Sequence, residues 1–298
     1  MNRTELVIMA AGLSSRYNGM KQLDGMDEYG QPIMEYSVYD AMLAGFDGVT
    51  LIVGEGMTDS FRRALGDKLA RKISVKYVEQ KLSDVPDPAL IPSDRKRPWG
   101  TAHAILCCRS VVDRPFLTIN SDDFYGRQAF VAMHRFLSET DPRGSDWAMA
   151  EYLLKNTVPG DRLVSRAACK INNGYLKHLK ELKVRKTDDG YEYSHGNEFV
   201  RLDENTVVSM NMWGLTPAVF DKLGAEFDSF FAASHNTESD ELNIGDVISD
   251  AVGEQTASVK VIPSDSSWFG VTYSTDKDEV SKRFSRLRAN GEYPDLLF

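Results

Sequence analysis

The chain has 298 residues, enough for one large domain or two small ones around a substantial core. With 42% hydrophobic and 27% charged residues it is not a long disordered chain, and a net charge of −9 excludes a global field that draws nucleic acid or an anionic membrane surface. Any anionic ligand must therefore be gathered by a local cluster. Three cysteines, Cys107, Cys108 and Cys169, have neither CxxC nor zinc spacing, and no apolar run approaches a signal-peptide core or a membrane span. A cytoplasmic protein with no membrane or nucleic-acid partner is expected.

The first predicted element is a strand over Leu6–Met9, four apolar residues in a row, buried on both faces. It runs into Ala10-Ala11-Gly12-Leu13-Ser14-Ser15-Arg16, with Lys21 close behind. Small residues at the carboxyl end of an open sheet's strand leave backbone N–H groups accessible, and two nearby cations make a cradle for phosphate. The alternative is a tight turn with two surface cations. After the turn Gly30-Gln31-Pro32, the spacing predicts a helix from Ile33 to Gly45, with Ile33, Met34, Val38, Met42 and Leu43 inward and Gly45 as its stop. A strand at Val49–Val53, a helix near Asp59–Leu69 and a strand at Ile73–Val78 complete the alternation of a parallel sheet with right-handed crossovers.

Glu79–Trp99 holds Pro86, Pro88, Pro92 and Pro98 and reads as a long irregular loop, usually a functional or a mobile one. Gly100-Thr101-Ala102-His103 opens a helix, and Pro115–Ile119 is a fourth buried strand ending in Asn120-Ser121-Asp122-Asp123-Phe124-Tyr125-Gly126. A helix at Gln128–Ser138 and a strand at Trp147–Leu153 follow. From Arg162 to Met212 the pattern alternates, with hairpin signals at Asn172-Asn173-Gly174 and Asp188-Asp189-Gly190, as in antiparallel structure laid over the edge of the parallel sheet. Helices at Pro217–Phe231, Glu241–Val252 and Lys277–Asn290, and a strand at Val259–Ile262, close the chain.

Two constellations besides the first loop carry chemistry. Asp122 and Asp123 stand at a strand's carboxyl end, where paired carboxylates suit a hard divalent cation; capping of the next helix is the alternative, and one aspartate can do each. Gly100-Thr101, at a helix start, can set backbone groups against a nucleobase edge or simply cap the helix.

The order Ala10-Ala11-Gly12-x-x-x-Arg16 with Lys21, then Gly100-Thr101-Ala102, then Ser121-Asp122 and Phe124-Tyr125-Gly126 resembles the nucleotidyltransferases that join a nucleoside triphosphate to a sugar 1-phosphate. The opening motif is also similar to that of the molybdenum-cofactor cytidylyltransferases. The resemblance implies an α/β fold: a Rossmann-like, mostly parallel sheet in one domain, with residues 1–155 binding the nucleotide and an antiparallel region within 156–298 binding the acceptor. It implies that Ala10, Ala11, Gly12 and Ser14 wrap the triphosphate, that Arg16 and Lys21 stabilise the transferring phosphorus, and that Gln80, Gly100 and Thr101 read the base. It further implies that Asp122 holds Mg²⁺ and that Glu181 and Asn211 meet the acceptor.

The chain departs from the family at two places. Ser14 replaces a glycine of the first motif, and the late strand that supplies a second metal ligand in the family corresponds to Trp268-Phe269-Gly270-Val271-Thr272, leaving Thr272, Asp276 or water as substitutes. Two other readings therefore stand beside nucleotidyl transfer: a nucleotide-binding regulatory module without turnover, and a glycosyltransferase on the same fold. The base, the acceptor and the oligomeric state are not legible in the sequence.

Overall fold

The computed structural model describes residues 1–12, 21–160, 162–233, 239–271 and 276–298. Their centre is β1 (Glu5–Ala10), hydrogen-bonded in parallel to β2 (Gly48–Gly54) on one side and to β4 (Phe116–Asn120) on the other, with β3 (Ser74–Gln80) outside β2. Successive side chains of a strand point to opposite faces, so Leu6 and Ile8 pack with Met34, Val38 and Phe130, whereas Val7 and Met9 pack with Ile105, Leu223 and Ile248. An uninterrupted apolar run is the form a strand takes when helices cover both faces.

The helices on the first face are α1 (Ile33–Ala44) and, later in the chain, α5 (Arg127–Glu139). Gly45 ends α1 in a left-handed conformation, φ 108°, with its N–H on the carbonyls of Ala41 and Met42. Leu43, expected inward, is exposed. Between β2 and β3 the helix is continuous but irregular: α2 (Thr58–Phe61) passes through a wider turn at Arg62–Gly66 into α3 (Asp67–Leu69). There the Tyr77 hydroxyl fills the space where Gly66 would carry a side chain.

On the second face α4 (Thr101–Leu106) packs against two later helices, α6 (Val219–Ala233) and α7 (Ile244–Gly253). The proline-rich loop before α4 is pinned from within. Arg95 lies flat on Trp99, 3.6 Å from its ring, and donates to the carbonyls of Arg97, Pro98 and Asp240, while Trp99 Nε1 donates to Leu82 O at 3.0 Å.

The predicted strand at Trp147–Leu153 is two, β6 (Asp146–Ala150) and β7 (Tyr152–Leu153), broken at Glu151, whose N–H goes to Ile262 O. The antiparallel region is β8 (Val164–Asn172), β9 (Tyr175–Thr187), β10 (Gly190–His195), β11 (Glu198–Leu202) and β12 (Val207–Ser209), and both expected hairpin turns are present. It does not lie over the parallel sheet but continues it. The short β13 (Trp213–Leu215) runs antiparallel between β4 and β6, and β14 (Ser258–Ile262) joins β6 to β9, giving the order β3-β2-β1-β4-β13-β6-β14-β9-β8-β12-β7, with β10 and β11 extending from β9.

A separate two-stranded ladder pairs β5 (Asp123–Phe124) with β15 (Phe269–Gly270). Over it folds α8 (Lys277–Ala289), whose Val280 and Phe284 join Tyr293 and Leu297 in a cluster with Met26, Ile33, Tyr36, Phe124 and Phe269. A polar knot anchors this cluster. Asp27, its side chain fully buried, accepts from the Tyr36 hydroxyl (2.5 Å), Gln31 Nε2 (2.8 Å) and Arg288 Nη1 (2.7 Å). Burial alone would raise its pKa, but these donors outweigh it and hold the carboxyl below its ordinary value. Nearby, Asp40 accepts from Arg127 Nε (2.8 Å) and the Tyr293 hydroxyl (2.5 Å). At Asp40 burial prevails over the ion pair and pushes the carboxyl up to about 6, whereas at the more exposed Arg127 the pair with Asp40 outweighs burial and raises the guanidinium pKa.

Candidate active site

The ends of β1 and β4 lie side by side, joined beyond the ladder by Ser121 N–H on Met9 O at 3.2 Å. Ala10 and Ala11 are buried there, and Gly12 is exposed, its carbonyl held by Gln22 Nε2 at 2.7 Å. Ser14 and Arg16 lie outside the described residues. Lys21 starts a single 3₁₀ turn, Lys21–Leu23, and its side chain also lies outside them.

Gln80 ends β3, two strands from β1, about 10 Å away at ordinary strand spacing. Its amide nitrogen donates to Gly100 O (3.1 Å) and faces His103 Nδ1 (3.0 Å), while His103 Nε2 faces Asp84 O (2.8 Å). A carbonyl can only accept, so these contacts assign His103 as neutral with its proton on Nε2, and burial, which lowers its pKa, keeps it so. His103 is thus a buried strut that orients Gln80 and the loop. Gly100 has φ 101°, and a Cβ there would collide with the Leu242 backbone, whose N–H and carbonyl bridge Trp99 O and Ala102 N. Because Leu242 is spent on this bridge, α7 starts at Ile244 and not at the expected Glu241. Thr101 Oγ1 accepts from Ile244 N–H at 2.9 Å: it caps a helix, but one 143 residues away.

Asp122 occupies the turn between β4 and β5, its carbonyl accepting from Val271 N–H at 3.2 Å. The late stretch Trp268–Val271 therefore lies directly beside the aspartates and carries no carboxylate there. Thr272 lies outside the described residues, and Asp276 is paired with Arg162. Asp123 is buried, with Oδ2 accepting from Asn120 Nδ2 at 2.8 Å. Burial, then the charge of Asp122, raises its pKa well above the ordinary carboxylate range. The Tyr125 hydroxyl ties this turn to the antiparallel strands, accepting from Asn120 N–H (3.0 Å) and donating to Met210 O (2.9 Å).

Asn211, next in the chain, has φ 61° and is brought beside this turn. Glu181 is not. It sits opposite Ala167 on β9 and, because directly paired residues share a face, points to the side of α7, where its charge bears on Asp246. On the other face, opposite Leu182, stands Arg166, which the sequence reading passed over. Its guanidinium lies 4.8 Å from the Trp268 ring, burial lowers its pKa to about 10, and the charge of Asp123 opposes that. A cavity of about 420 Å³ lined by Ser145, Asp146, Tyr175 and Ser258 opens at the opposite end of the sheet, by the first residues of β6 and β14, away from these groups.

The pattern of the nucleotidyl transferase family matches residues 7–155, half of the chain, from β1 through Asp122 to just past β7. The chain belongs to the nucleotidyl transferase family. It is thus an enzyme of the nucleotidyltransferase class. Among solved structures the chain is similar to a UDP-glucose pyrophosphorylase complexed with UDP-glucose, at 16% identity and a TM-score of 0.59, covering 95% of this chain and 99% of that one. It is also similar to the inositol-1-phosphate CTP transferase from T. maritima, at 15% identity and a TM-score of 0.57, covering 94% and 96%. At that identity the likeness is one of fold. No curated protein matches the sequence. Among the described residues no helix is long and apolar enough to cross a membrane.

Proposed function

We propose that this nucleotidyl transferase uses a sugar 1-phosphate, or a similar phosphorylated acceptor, in Mg²⁺-dependent attack on a nucleoside triphosphate. The observation that carries the reading is the convergence of the Gly12 loop, Asp122 and Gln80 at one edge of the parallel sheet, the edge where ligands of open α/β sheets collect. An acceptor phosphate oxygen forms a bond to the α-phosphorus; the bond from that phosphorus to the bridging oxygen breaks, and its electron pair leaves with pyrophosphate. The attacking phosphate is already anionic, so positioning and charge stabilisation suffice.

Backbone at Ala10, Ala11, Gly12 and Ser14 cradles the triphosphate, and Arg16 and Lys21 neutralise its growing charge. Gln80, with Gly100 and Thr101 behind it, meets the base. Since its nitrogen is engaged by Gly100 and His103, Gln80 presents its carbonyl oxygen, which selects a hydrogen-bond donor on the base edge. Asn211, beside the Asp122 turn, serves the acceptor.

No group of three or more His, Cys, Asp or Glu among the described residues is arranged to hold a metal ion by itself. The oxygen donors of Asp122, crowded by the Asp123 carboxyl, nevertheless fit Mg²⁺, which takes one or two protein carboxylates and completes its shell with phosphate and water. Asp122 would hold it, and the ion would supply positive charge to the phosphates when bound. The chain then works as one domain, 1–155 for the nucleotide and 156–298 for the acceptor, in the cytoplasm.

The test is a matrix of nucleoside triphosphates against sugar 1-phosphates, led by UTP with glucose 1-phosphate and CTP with inositol 1-phosphate, read by pyrophosphate release with and without Mg²⁺. Release from one pair supports the reading. Triphosphate binding with no release from any pair favours the regulatory module, a reading that the carboxylate-free stretch Trp268–Val271 supports.

A further inference from the structure

We propose that Arg166 binds the acceptor's phosphate, a role that rests on the transfer reading above and names one contact within it. Arg166 is half-buried on β8 and makes no ion pair with any described carboxylate; its partners are the carbonyls of Thr157, reached from Nε at 3.1 Å and from Nη2, and of Ser165, reached from Nη1 at 2.6 Å. A guanidinium has five N–H donors, so two remain, one on each terminal nitrogen.

Those two belong to a charge fixed in place. The two carbonyls engage all three guanidinium nitrogens and the Trp268 ring lies 4.8 Å from the charge, so little rotamer freedom is left to lose on binding. The position is specific as well. Trp268 leads into β15, which pairs with β5, and its ring edge is the third-nearest group to the point where Gly270 would carry a side chain, after Asp123 Oδ1 and Asp122 O. Arg166 therefore stands on the acceptor side of the aspartates, across from the Gly12 loop. A preset donor pair offers no acceptor, so it suits a group that only accepts. A phosphomonoester dianion meets that need, and an uncharged sugar hydroxyl would leave the guanidinium charge unanswered.

Calorimetry of the full chain with MgCl₂, titrating inorganic phosphate, glucose 1-phosphate and inositol 1-phosphate in turn, decides the assignment. Arg166→Gln should weaken the best-binding phosphomonoester by roughly ten- to a hundred-fold, the worth of charge-assisted hydrogen bonds, and change triphosphate affinity by less than about two-fold. Arg166→Lys keeps the charge without the fork and should fall between the two; it also decides the matter if Arg166→Gln does not fold. Trp268→Phe should weaken binding too, and it forfeits no hydrogen bond to any described residue, since Trp268 Nε1 has no partner among them. Unchanged phosphomonoester affinity in Arg166→Gln or Arg166→Lys overturns the proposal, as does a wild-type chain that binds triphosphate but no phosphomonoester. If phosphomonoesters bind through Arg166 yet no pyrophosphate is ever released, the transfer reading fails and the assignment of Arg166 stands.

Discussion

Gly270 and Asp123 face each other across the β15–β5 ladder, and a Cβ on Gly270 would collide with Asp123 Oδ1. The late strand cannot carry a carboxylate at this point while Asp123 keeps its place. The glycine is thus the counterpart of the neighbouring aspartate. Gly270→Asp should cost about 1–3 kcal/mol of stability, the usual effect of overpacking. In urea unfolding, Gly270→Asp combined with Asp123→Ala should lose less than the sum of the two single changes, because the collision is gone.

Asp122→Asn keeps the backbone carbonyl that accepts from Val271 N–H, so the variant should still unfold in one cooperative urea transition. It should cut Mg²⁺-dependent pyrophosphate release by at least roughly a hundred-fold, the scale of losing a charge that stabilises a transition state. Excess chelator should silence the wild type equally. Wild-type turnover surviving the chelator would remove the metal from the mechanism.

Thr101→Val removes the hydroxyl that accepts from Ile244 N–H and should cost about 1 kcal/mol, whereas Thr101→Ser should cost little. The loss should appear as faster amide exchange at the start of α7. A change in nucleotide affinity with no change in that exchange would show that Thr101 acts on the base directly.

The raised pKa of Asp40 sets a sign for pH dependence. In the folded chain the carboxyl takes up its proton near pH 6, in the unfolded chain only near 3.8, so across that window the folded state binds the extra proton. Its contribution to stability is full below the unfolded value and is lost as pH rises through about 6. Asp40→Asn should make the slope of unfolding free energy against pH more positive between pH 4 and 6, by up to about 1.4 kcal/mol per pH unit. Parallel curves for the two proteins would contradict this.

The parallel strands and the hairpin turns were legible because their signals are local. Leu6–Met9 buries both faces within one stretch of chain, and Asn173-Gly174 adopts the positive φ angles, 50° and 78°, that such a pair favours at a hairpin. What stayed hidden depends on distant partners. Thr101 reads as a cap for its own helix, and only the fold shows that it serves Ile244. Arg166 sits in an alternating strand like any surface cation, and its meaning comes from Trp268, a hundred residues later. The continuity of the two halves hung on β13, three residues with no strand signal of their own. At Glu181, the pairing with Ala167 fixed which face the side chain takes, and a strand's register is not written in its own residues.

The knot around Asp27 has a consequence for how the protein comes into being. Asp27 and Tyr36 follow shortly after the Gly12 loop, yet their charge partner, Arg288, comes 252 residues after Tyr36. During synthesis the N-terminal strands can assemble early, but until α8 emerges Asp27 has no cation and Tyr36, Phe124 and Phe269 have no roof. A growing chain would therefore close this cluster only once α8 has been made, and a chain cut short before Arg288 would hold its first strands but not the α8 side of the cluster.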